Sequence, residues 1–408
     1  MNRFNKDTII KKSLAVIITV AMMFTGCSNK SVDMSNTYTT QAVKSDITDA
    51  ANDSQEGKSD NEVSIVMVGD VLLHDRVAKS GETDDGTYNF DAIFANVKDD
   101  IENADIAIVN QEVIIGGSEL GISGYPAFNA PYELGDALVD AGFDVVLHAT
   151  NHALDKGAAG IKNCINYWQN NHPDMAVLGI NDSEEAQNNI YVVDKNGIKV
   201  AILNYTYGTN GIPMPEGMPY AVNLLDEEKI KSDIEKAHTM ADFVIVCPHW
   251  GTEYVLSETD EQKHYANLFS ECGADLIIGT HPHVIEPVKW IETENKRTLV
   301  YYSLGNFVNW TSDSGTGISN RMEGMMAKVN ITRQDDNSIV INSYDAEPLV
   351  SHVNEGYGNV TVYRLSDYTE ELAADNAIIN QDQEFSRDYL VELYNKIVSD
   401  SDGLMSVN

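Results

Sequence analysis

Two histidines, His281 and His283, stand two residues apart just after the apolar run 274–278. Neutral imidazole is a common ligand for first-row transition metals, and Pro282 between the two rings fixes one backbone dihedral. The pair therefore has the chemistry of half a metal site. Histidine pairs of this spacing also occur on surface loops, so the pair by itself leaves both interpretations open.

Four further apolar runs upstream lead into residues with oxygen or nitrogen donors. The runs are 63–68, 104–109, 143–147 and 242–247, and the donors that follow them are Asp70, Glu112, Asn151 with His152, and His249. Nearly continuous apolar runs indicate strands buried on both faces, as in layered α/β proteins, where strand ends on one rim form the site. Donors arriving from five strands suit a centre of two metal ions bridged by a carboxylate.

Helix and turn signals alternate with these strands. The pattern predicts helices over 131–141, 163–172, 225–240, 260–271 and 378–398, a short strand over 175–179, a strand and turn over 298–308 and a strand over 360–363. Asn196-Gly197 and Asp336-Asn337 predict hairpins. The loop 205–220, rich in Gly and Pro, has the length of a lid or a wall of a binding site. These elements together predict an α/β fold.

The first residues differ from the rest of the chain. A basic start precedes the apolar run 14–24, which is too short for a permanent membrane span, and Phe24-Thr25-Gly26-Cys27 resembles a bacterial lipoprotein signal. We expect residues 1–26 to be a signal peptide and Cys27 to carry lipid on the outer face of the cell membrane; an uncleaved anchor is the alternative. Residues 27–62, rich in Ser, Asn, Asp and Thr, are expected to form a disordered tether.

Composition excludes several classes of function. A net charge of −36 argues against binding nucleic acid, or binding anionic lipid through the protein surface. The same charge disfavours a polyanionic substrate unless bound cations offset it locally, as a metal centre would. No cysteine stands in a C-x-x-C pair, so a thiolate zinc site is not expected.

The ordered strand-end residues resemble the calcineurin-like metallophosphoesterases and, more closely, the CapA/PgsA capsule-synthesis family, which is associated with poly-γ-glutamate capsules. The motifs that carry the resemblance are Gly69-Asp70, Asn110-Gln111-Glu112, Asn151-His152-Ala153-Leu154-Asp155-x-Gly157, His249-Trp250-Gly251-Thr252-Glu253-Tyr254, Gly279-Thr280-His281-Pro282-His283-Val284 and Ser303-Leu304-Gly305-Asn306-Phe307. The resemblance implies a four-layer α/β/β/α sandwich with mixed sheets. The resemblance covers about residues 64–310, and we expect a CapA-type domain over 63–350 followed by a C-terminal extension with a terminal helix over 351–408.

The resemblance also divides the donors between two divalent metal ions, which would be Mn, Fe or Zn. Glu112 would bridge the two ions, and the other donors would belong to one ion each: Asp70 and His283 to the first, and Asn151, His249 and His281 to the second. One ligand is missing, because Leu72 stands where the metallophosphoesterases have a histidine. His74 is either its replacement or a surface histidine.

His152 would not bind metal in this scheme. The resemblance implies that it protonates the leaving oxygen or stabilises charge on the transferred group. Asp155 would either orient the ring of His152 or cap the following helix. Trp250, directly after His249, is expected to line the site.

Three functions remain open on the sequence. The first is a lipid-anchored protein outside the cytoplasm that makes, exports or anchors an anionic polymer such as poly-γ-glutamate, with membrane proteins of capsule synthesis and export as partners. The second is an extracytoplasmic phosphoesterase or nucleotidase unrelated to capsule. The third is a scaffold that keeps the metal for structure. If the protein is an enzyme, the metal centre would promote attack on a phosphoryl or acyl centre, with His152 assisting departure.

Overall fold

The computed structural model describes residues 61–408 except 295, 355 and 357. The described residues fall within one compact unit, Gly57–Asn408. The predicted signal peptide, the predicted lipidation site Cys27 and all but the end of the predicted tether lie outside the described residues. Among the helices of the described part, none is both long and apolar enough to span a membrane.

The secondary structure alternates between strands and helices, as the sequence predicts. The described strands are Glu62–Val71 (β1), Ile106–Asn110 (β2), Val145–Leu147 (β3), Ala176–Leu178 (β4), Tyr191–Lys195 (β5), Ile198–Thr206 (β6), Phe243–His249 (β7), Leu276–Ile278 (β8), Val288–Glu292 (β9), Arg297–Tyr301 (β10), Asn306–Val308 (β11), Glu323–Arg333 (β12), Ile339–Val353 (β13) and Val360–Arg364 (β14). The described α-helices are Asp75–Ser80 (α1), Asp91–Phe94 (α2), Lys98–Glu102 (α3), Tyr132–Asp140 (α4), Gly157–Asn171 (α5), Glu184–Gln187 (α6), Glu227–His238 (α7), Asp260–Cys272 (α8), Glu370–Asp375 (α9) and Arg387–Val398 (α10).

The strands form two mixed sheets. The first sheet has the order β14-β13-β12-β1-β2-β3-β4, with β11 also paired to β1, and the second has the order β5-β6-β7-β8-β10-β9. Strands β1 to β4 run parallel, as do β6, β7, β8 and β10, whereas β12 to β14 and the edge strands β5 and β9 pair antiparallel. Parallel strands end at the same edge of a sheet, so each sheet gathers several strand ends on one side.

Three apolar cores define four layers. Successive side chains of a strand point to opposite faces, so Met67 of β1 enters the core between the two sheets while Val66 and Val68 face outward. Helices α4 and α5 cover that outer face of the first sheet. Phe269 of α8 and residues of α7 cover the outer face of the second sheet, against Val244 of β7 and its neighbours. The predicted α/β/β/α sandwich with mixed sheets is therefore confirmed.

Local signals in the sequence set many element boundaries. Helices α4, α7 and α8 lie within two or three residues of their predicted ends, and α5 begins earlier than predicted, at Gly157. Strands β5 and β6 form the hairpin predicted across Asn196-Gly197, where both residues have positive φ, 52° and 76°. Positive φ at two consecutive residues is the geometry of a tight two-residue hairpin turn, and Asn-Gly adopts it readily.

Two elements differ from the prediction. The stretch 298–308 contributes to both sheets, because the chain crosses between them at 302–305 and joins β10 of one sheet to β11 of the other. The helix predicted over 378–398 begins only at Arg387. Asp382 accepts a hydrogen bond from the Ser319 amide (3.0 Å), and Ser386 accepts one from the Tyr389 amide (3.0 Å) as the N-cap of α10. Short polar side chains that bind backbone amides favour caps over a continuous helix.

The C-terminal residues complete the same sandwich. The domain boundary predicted at 350 lies within β13, and β14 extends the first sheet beyond it. Leu393 and Tyr394 of α10 pack in the core between the sheets, and the Tyr394 hydroxyl donates to the Ala346 carbonyl at 2.6 Å. Residues after 350 thus contribute a strand to the sheet and a helix to its inner core.

Candidate metal centre

The donors predicted from the sequence meet where the strand ends of the two sheets face each other. Asp70 belongs to the end of β1, Glu112 follows β2 by two residues, and His249 ends β7; all three are fully buried. The other donors stand in the turns after β3 and β8 and are also buried: Asn151, His152, His281 and His283. Every residue predicted to bind metal lies in this cluster.

A close approach of two glycines brings the crossing segment to the site. The Asp70 amide donates to the Gly305 carbonyl at 3.0 Å, and a Cβ on Gly69 would lie 1.9 Å from that carbonyl oxygen. Gly305 itself has a φ of +65°. Since a side chain at Gly69 would be blocked by backbone, this glycine permits β11 to pair with β1 and places Asn306 beside Asp70.

The described residues form three groups whose donor atoms lie within 4.8 Å of one another. The groups are Asp70 with Glu112 and His283; Glu112 with His249 and His281; and Glu253 with His281 and His283. The first two groups share Glu112, and their membership corresponds to the division of donors that the resemblance implies. Such mixed carboxylate and imidazole groups suggest a divalent metal.

Hydrogen bonds orient the individual donors. Asp70 Oδ1 accepts from Asn110 Nδ2 at 2.8 Å, and His283 Nδ1 lies 3.3 Å from Asp70 Oδ2. His249 Nδ1 lies 3.0 Å from Thr280 Oγ1, and His249 Nε2 lies 2.9 Å from Asn151 Oδ1. These contacts place Asn151 beside His249, as expected for two donors to one metal.

Buried donor atoms without partners mark the centre of the cluster. Neither carboxylate oxygen of Glu112 has a hydrogen-bond partner. Nδ1 of His281 has none either. A buried polar atom without a partner is costly, and a bound cation is one of the few groups that offsets that cost for a carboxylate. The residues present therefore fit a metal ion.

The electrostatics of the cluster follow from burial and from the two carboxylates. Burial raises the pKa of Glu112 well above its ordinary value, opposed by His283. Burial lowers the pKa of His249 and of His281, which keeps both rings neutral and able to act as ligands. Burial also acts to lower the pKa of His283, but the carboxylates of Glu112 and Asp70 outweigh it and raise that pKa to about 9.

Asp155 orients His152 and does not cap a helix. Its Oδ2 lies 2.7 Å from His152 Nδ1 and also accepts from the Phe128 amide at 2.7 Å. The N-cap of α5 is Lys156, without a side-chain hydrogen bond to the helix. Of the two alternatives for Asp155, the structure selects orientation of the ring.

His74 does not stand in for the missing ligand. In the described part of the chain it belongs to none of the three donor groups. Its ring contacts Phe128 edge-on at 5.1 Å, and Phe128 contacts His152 in the same manner at 4.7 Å. Burial, followed by the charge of His283, lowers the pKa of His74 to about 4. His74 is thus part of the wall around His152.

Glu253 is the donor that sequence reasoning missed. It lies four residues after His249 in a motif that the resemblance includes, yet nothing in the sequence shows that this loop turns back toward His281 and His283. The Tyr254 amide donates to the Pro282 carbonyl at 2.7 Å, and Tyr254 has a φ of +66°. This contact holds the loop against the histidine turn.

Trp250 does not line the site as expected. Its side chain is fully buried in the outer core of the second sheet, where its Nε1 donates to the Tyr302 carbonyl at 2.9 Å. Neighbouring residues of an extended strand point to opposite faces. Because His249 faces the metal cluster, Trp250 must face the helices.

A cleft of about 600 Å³ opens beside the donors, within the size range of small-ligand sites. Asn151, His152, Glu253 and His283 are among the residues that line it. Asn210 and Ile212 of the long loop line it as well, so the loop is a wall of the site as predicted. Another cavity, of about 290 Å³ beside Trp168 and Asn204, contains none of the donor residues.

Comparison with known proteins identifies relatives by sequence. The family model "Bacterial capsule synthesis protein PGA_cap" matches residues 64–311. The PGA biosynthesis protein CapA of Bacillus subtilis (strain 168) is 37% identical over 178 residues, which cover 43% of this chain and 45% of the relative. The capsule biosynthesis protein CapA of Bacillus anthracis is 28% identical over 270 residues, 62% of each chain. The match thus spans less than two thirds of either relative.

Solved structures with similar folds are more distant. The NAD nucleotidase NadN of Haemophilus influenzae is 11% identical, with a TM-score of 0.44 over 85% of this chain and 64% of the other. The calcineurin-like phosphoesterase YfkN of Bacillus subtilis is 13% identical, with a TM-score of 0.38 over 81% of this chain and 99% of the other.

Proposed function

This chain belongs to the bacterial capsule synthesis family PGA_cap, and on that premise we propose that it acts in the production or export of an anionic polymer such as poly-γ-glutamate, with a two-metal hydrolase-type site. In this proposal residues 1–26 are removed and lipid on Cys27 holds the protein on the outer face of the cell membrane. Its partners there are the membrane proteins that synthesise and export the polymer. Nucleic acid has no part in it, given the net charge of −36.

The position of Glu112 is the observation that carries the hydrolase part of the proposal. Its two buried oxygens have no partner, and it is the member shared by two groups of donors. In the proposal Glu112 with Asp70 and His283 would hold one divalent ion, and Glu112 with His249, His281 and Asn151 would hold another. Glu253, which lies in one donor group with His281 and His283, would be a further ligand where Leu72 offers none.

Two such ions, whether Mn, Fe or Zn, would act as Lewis acids toward a phosphoryl or acyl oxygen of the substrate. The chain's own contribution is to place a proton donor beside them. His152 lines the cleft, and because Asp155 binds Nδ1 at 2.7 Å, Nε2 is the ring nitrogen left to exchange a proton with a leaving group. Phe128, edge-on to the ring, restricts its rotation and excludes water from one side.

Metal analysis and a variant of His152 test the proposal together. The purified full-length chain should contain two equivalents of Mn, Fe or Zn. The variant His152→Ala should keep that metal but lose about 10²–10⁴-fold in hydrolysis, because general acid catalysis contributes that much. Polymer output should fall in capsule-producing cells that carry His152→Ala as the sole copy.

His172→Ala is the matched control, since His172 also pairs with a carboxylate, Asp136, at 2.6 Å but lies outside the cluster. It should leave activity and metal content unchanged. Absence of metal would remove the basis for hydrolysis. Normal polymer output from a metal-loaded His152→Ala protein would point to a scaffold, and loss of phosphoester cleavage alone would point to a phosphoesterase unrelated to capsule.

A further inference from the structure

The cleft extends from the donor residues to a cationic side chain that the proposed hydrolysis does not use. Arg321, in the short 3-10 helix Ile318–Met322 before β12, is the one Lys or Arg among the described residues that line the cleft. The carboxylates on the same wall are Asp155, Glu253 and Asp313. An anion that enters this acidic surrounding therefore finds the fixed positive side-chain charge at Arg321.

The guanidinium is oriented by its neighbours and keeps donors free. Its Nη1 donates to Asp313 Oδ2 at 2.7 Å and to Thr311 Oγ1 at 3.2 Å, and its Cζ lies 3.5 Å from the centre of the Tyr254 ring. Within the part of the chain that the structure describes, Nε and Nη2 donate no hydrogen bond. Arginine carries five N–H donors in a planar fork that matches a carboxylate or phosphate. The side chain is thus held in place with donors left to offer.

The backbone of Arg321 is connected to the metal donors. Its carbonyl accepts from Asn306 Nδ2 at 2.9 Å and from Asn309 Nδ2 at 3.2 Å. Asn306 also contacts His283, with Oδ1 3.1 Å from Nδ1 and Nδ2 donating to the His283 carbonyl at 3.1 Å. The Tyr254 ring contacts both side chains: its centre lies 3.5 Å from Arg321 Cζ and 6.0 Å from the centre of the His283 ring. Asn306 therefore connects the predicted metal ligand His283 to the backbone of Arg321.

Asp313 serves as an internal counter-ion for Arg321. The Arg321 side chain is 12% exposed, whereas the Asp313 side chain is 62% exposed. An ion pair with one partner in solvent is weak and exchanges readily for a competing anion. A substrate carboxylate or phosphate that reaches the cleft can thus replace Asp313 without leaving a buried charge unpaired.

We propose that Arg321 is the anion-binding residue of this cleft, recognising a substrate oxyanion next to the group that reacts at the metal centre, and that this anion displaces Asp313. The inference rests on the proposed function and specifies its substrate: a molecule with a second anionic group beside the reacting bond. A γ-linked glutamate chain presents a carboxylate on every residue, and a phosphoester presents a phosphate. Arg321 and Asp313 both lie beyond residue 311, where the family match ends.

Calorimetric titration of the full-length chain tests this inference with two probes, inorganic phosphate and a γ-linked glutamate trimer. For the anion that Arg321 recognises, Arg321→Gln should weaken binding by about 10–100-fold, the usual value of a charge-assisted hydrogen bond. Asp313→Asn should tighten it by about 2–5-fold, because an exposed competitor is removed. If these affinity changes appear only with the trimer, the anion that Arg321 recognises is a carboxylate. If they appear only with phosphate, it is a phosphate, and if they appear with both probes, Arg321 recognises the oxyanion chemistry that the two share.

Arg333→Gln and Asp242→Asn are the matched controls. They make the same two charge changes in another ion pair, with Nη2 to Oδ2 at 2.8 Å and side chains 22% and 36% exposed. Both should leave binding of either probe unchanged, which separates a local contact from the effect of net charge. Unchanged binding in Arg321→Gln would overturn the inference, as would weakened binding in Asp313→Asn. If Arg321→Gln does not fold, the affinity of the Asp313→Asn variant, which changes an exposed residue, tests the inference by itself.

Metal content separates this inference from the proposed function. A chain that binds no metal but shows opposite effects of Arg321→Gln and Asp313→Asn would end the hydrolase proposal and support the anion site. A chain that carries two metals and hydrolyses substrate, yet shows neither effect, would support the hydrolase proposal and overturn the anion site.

Discussion

Two clusters of buried side chains near the end of β3, one around His148 and one around His281 and Glu112, differ in whether their polar atoms have hydrogen-bond partners. On the helix side, His148 is fully enclosed, and its Nε2 accepts from Trp168 Nε1 at 3.2 Å with Cys164 Sγ 3.6 Å away. On the side facing the second sheet, His281 is equally enclosed, but its Nδ1 has no partner, and neither has the Glu112 carboxylate.

The pKa does not distinguish the two clusters, whereas hydrogen bonding does. Burial lowers the pKa of His148 to about 3 and also lowers the pKa of His281. A satisfied buried histidine stabilises the fold through its hydrogen bonds, and an unsatisfied one costs stability unless a ligand completes it. The comparison therefore predicts that mutations in the His148 cluster reduce stability and that mutations in the Glu112 cluster reduce metal binding.

The largest effect is expected from Glu112→Gln. Removing the carboxylate shared by two donor groups should weaken metal binding by at least about 100-fold, more than the loss of a supporting contact does. The metal-free variant should unfold at the same urea concentration as the metal-free wild type, or a higher one, because an unpaired buried carboxyl is removed. Glu286→Gln, a second buried glutamate outside the donor groups, is the control and should bind metal normally.

His148→Leu should produce the opposite result. The Trp168 indole N–H would be left buried without an acceptor, which costs about 1–3 kcal/mol of unfolding free energy. Metal content measured by mass spectrometry should not change. His281→Leu is the matched substitution in the other cluster, and it should lower metal affinity while changing the stability of the metal-free protein less. Equal losses of stability in the two variants would refute the distinction.

A separate effect concerns the pH dependence of stability at Glu286. One of its oxygens accepts from Gln262 at 2.6 Å and the other has no partner, and burial raises its pKa to about 8. Folded Glu286 keeps its proton up to about pH 8, whereas the unfolded chain releases it near its ordinary pKa of 4.5. The contribution of Glu286 to stability is therefore fully present below about pH 4.5 and is lost as the pH rises toward 8, by up to about 1.4 kcal/mol per pH unit.

Urea unfolding of the metal-free chain at several pH values between 5 and 9 measures this slope. Glu286→Gln should reduce it, because an amide does not titrate. Glu235→Gln makes the same chemical change on the exposed side of α7 and should leave the slope as it is in the wild type. If the two variants have the same slope, the protonation of Glu286 is not its source.

Local patterns predicted a large part of the fold and of the site. Apolar runs located the main strands, Asn-Gly located a hairpin, and the polar residues after the strands included the buried donors that the structure brings together, such as Asp70 and His249. These features depend on residues adjacent in the chain, since side-chain alternation and turn geometry are local properties. The predicted metal and catalytic roles themselves stay predictions for the experiments above.

Tertiary contacts decided the remainder. Glu253 and Arg321 reach the cleft only because their loops fold back from distant positions, and Trp250 turns away from it because its neighbour His249 faces inward. His74 and Asp155, for which the sequence left alternatives open, both contact Phe128, a residue more than twenty positions from either. Such contacts depend on which segments pack together across the chain, and no local pattern records that information. The sequence by itself thus identified most of the residues that could bind a metal, and the packing of the two sheets decided which of them meet, added Glu253 to them, and left some donor atoms unpaired.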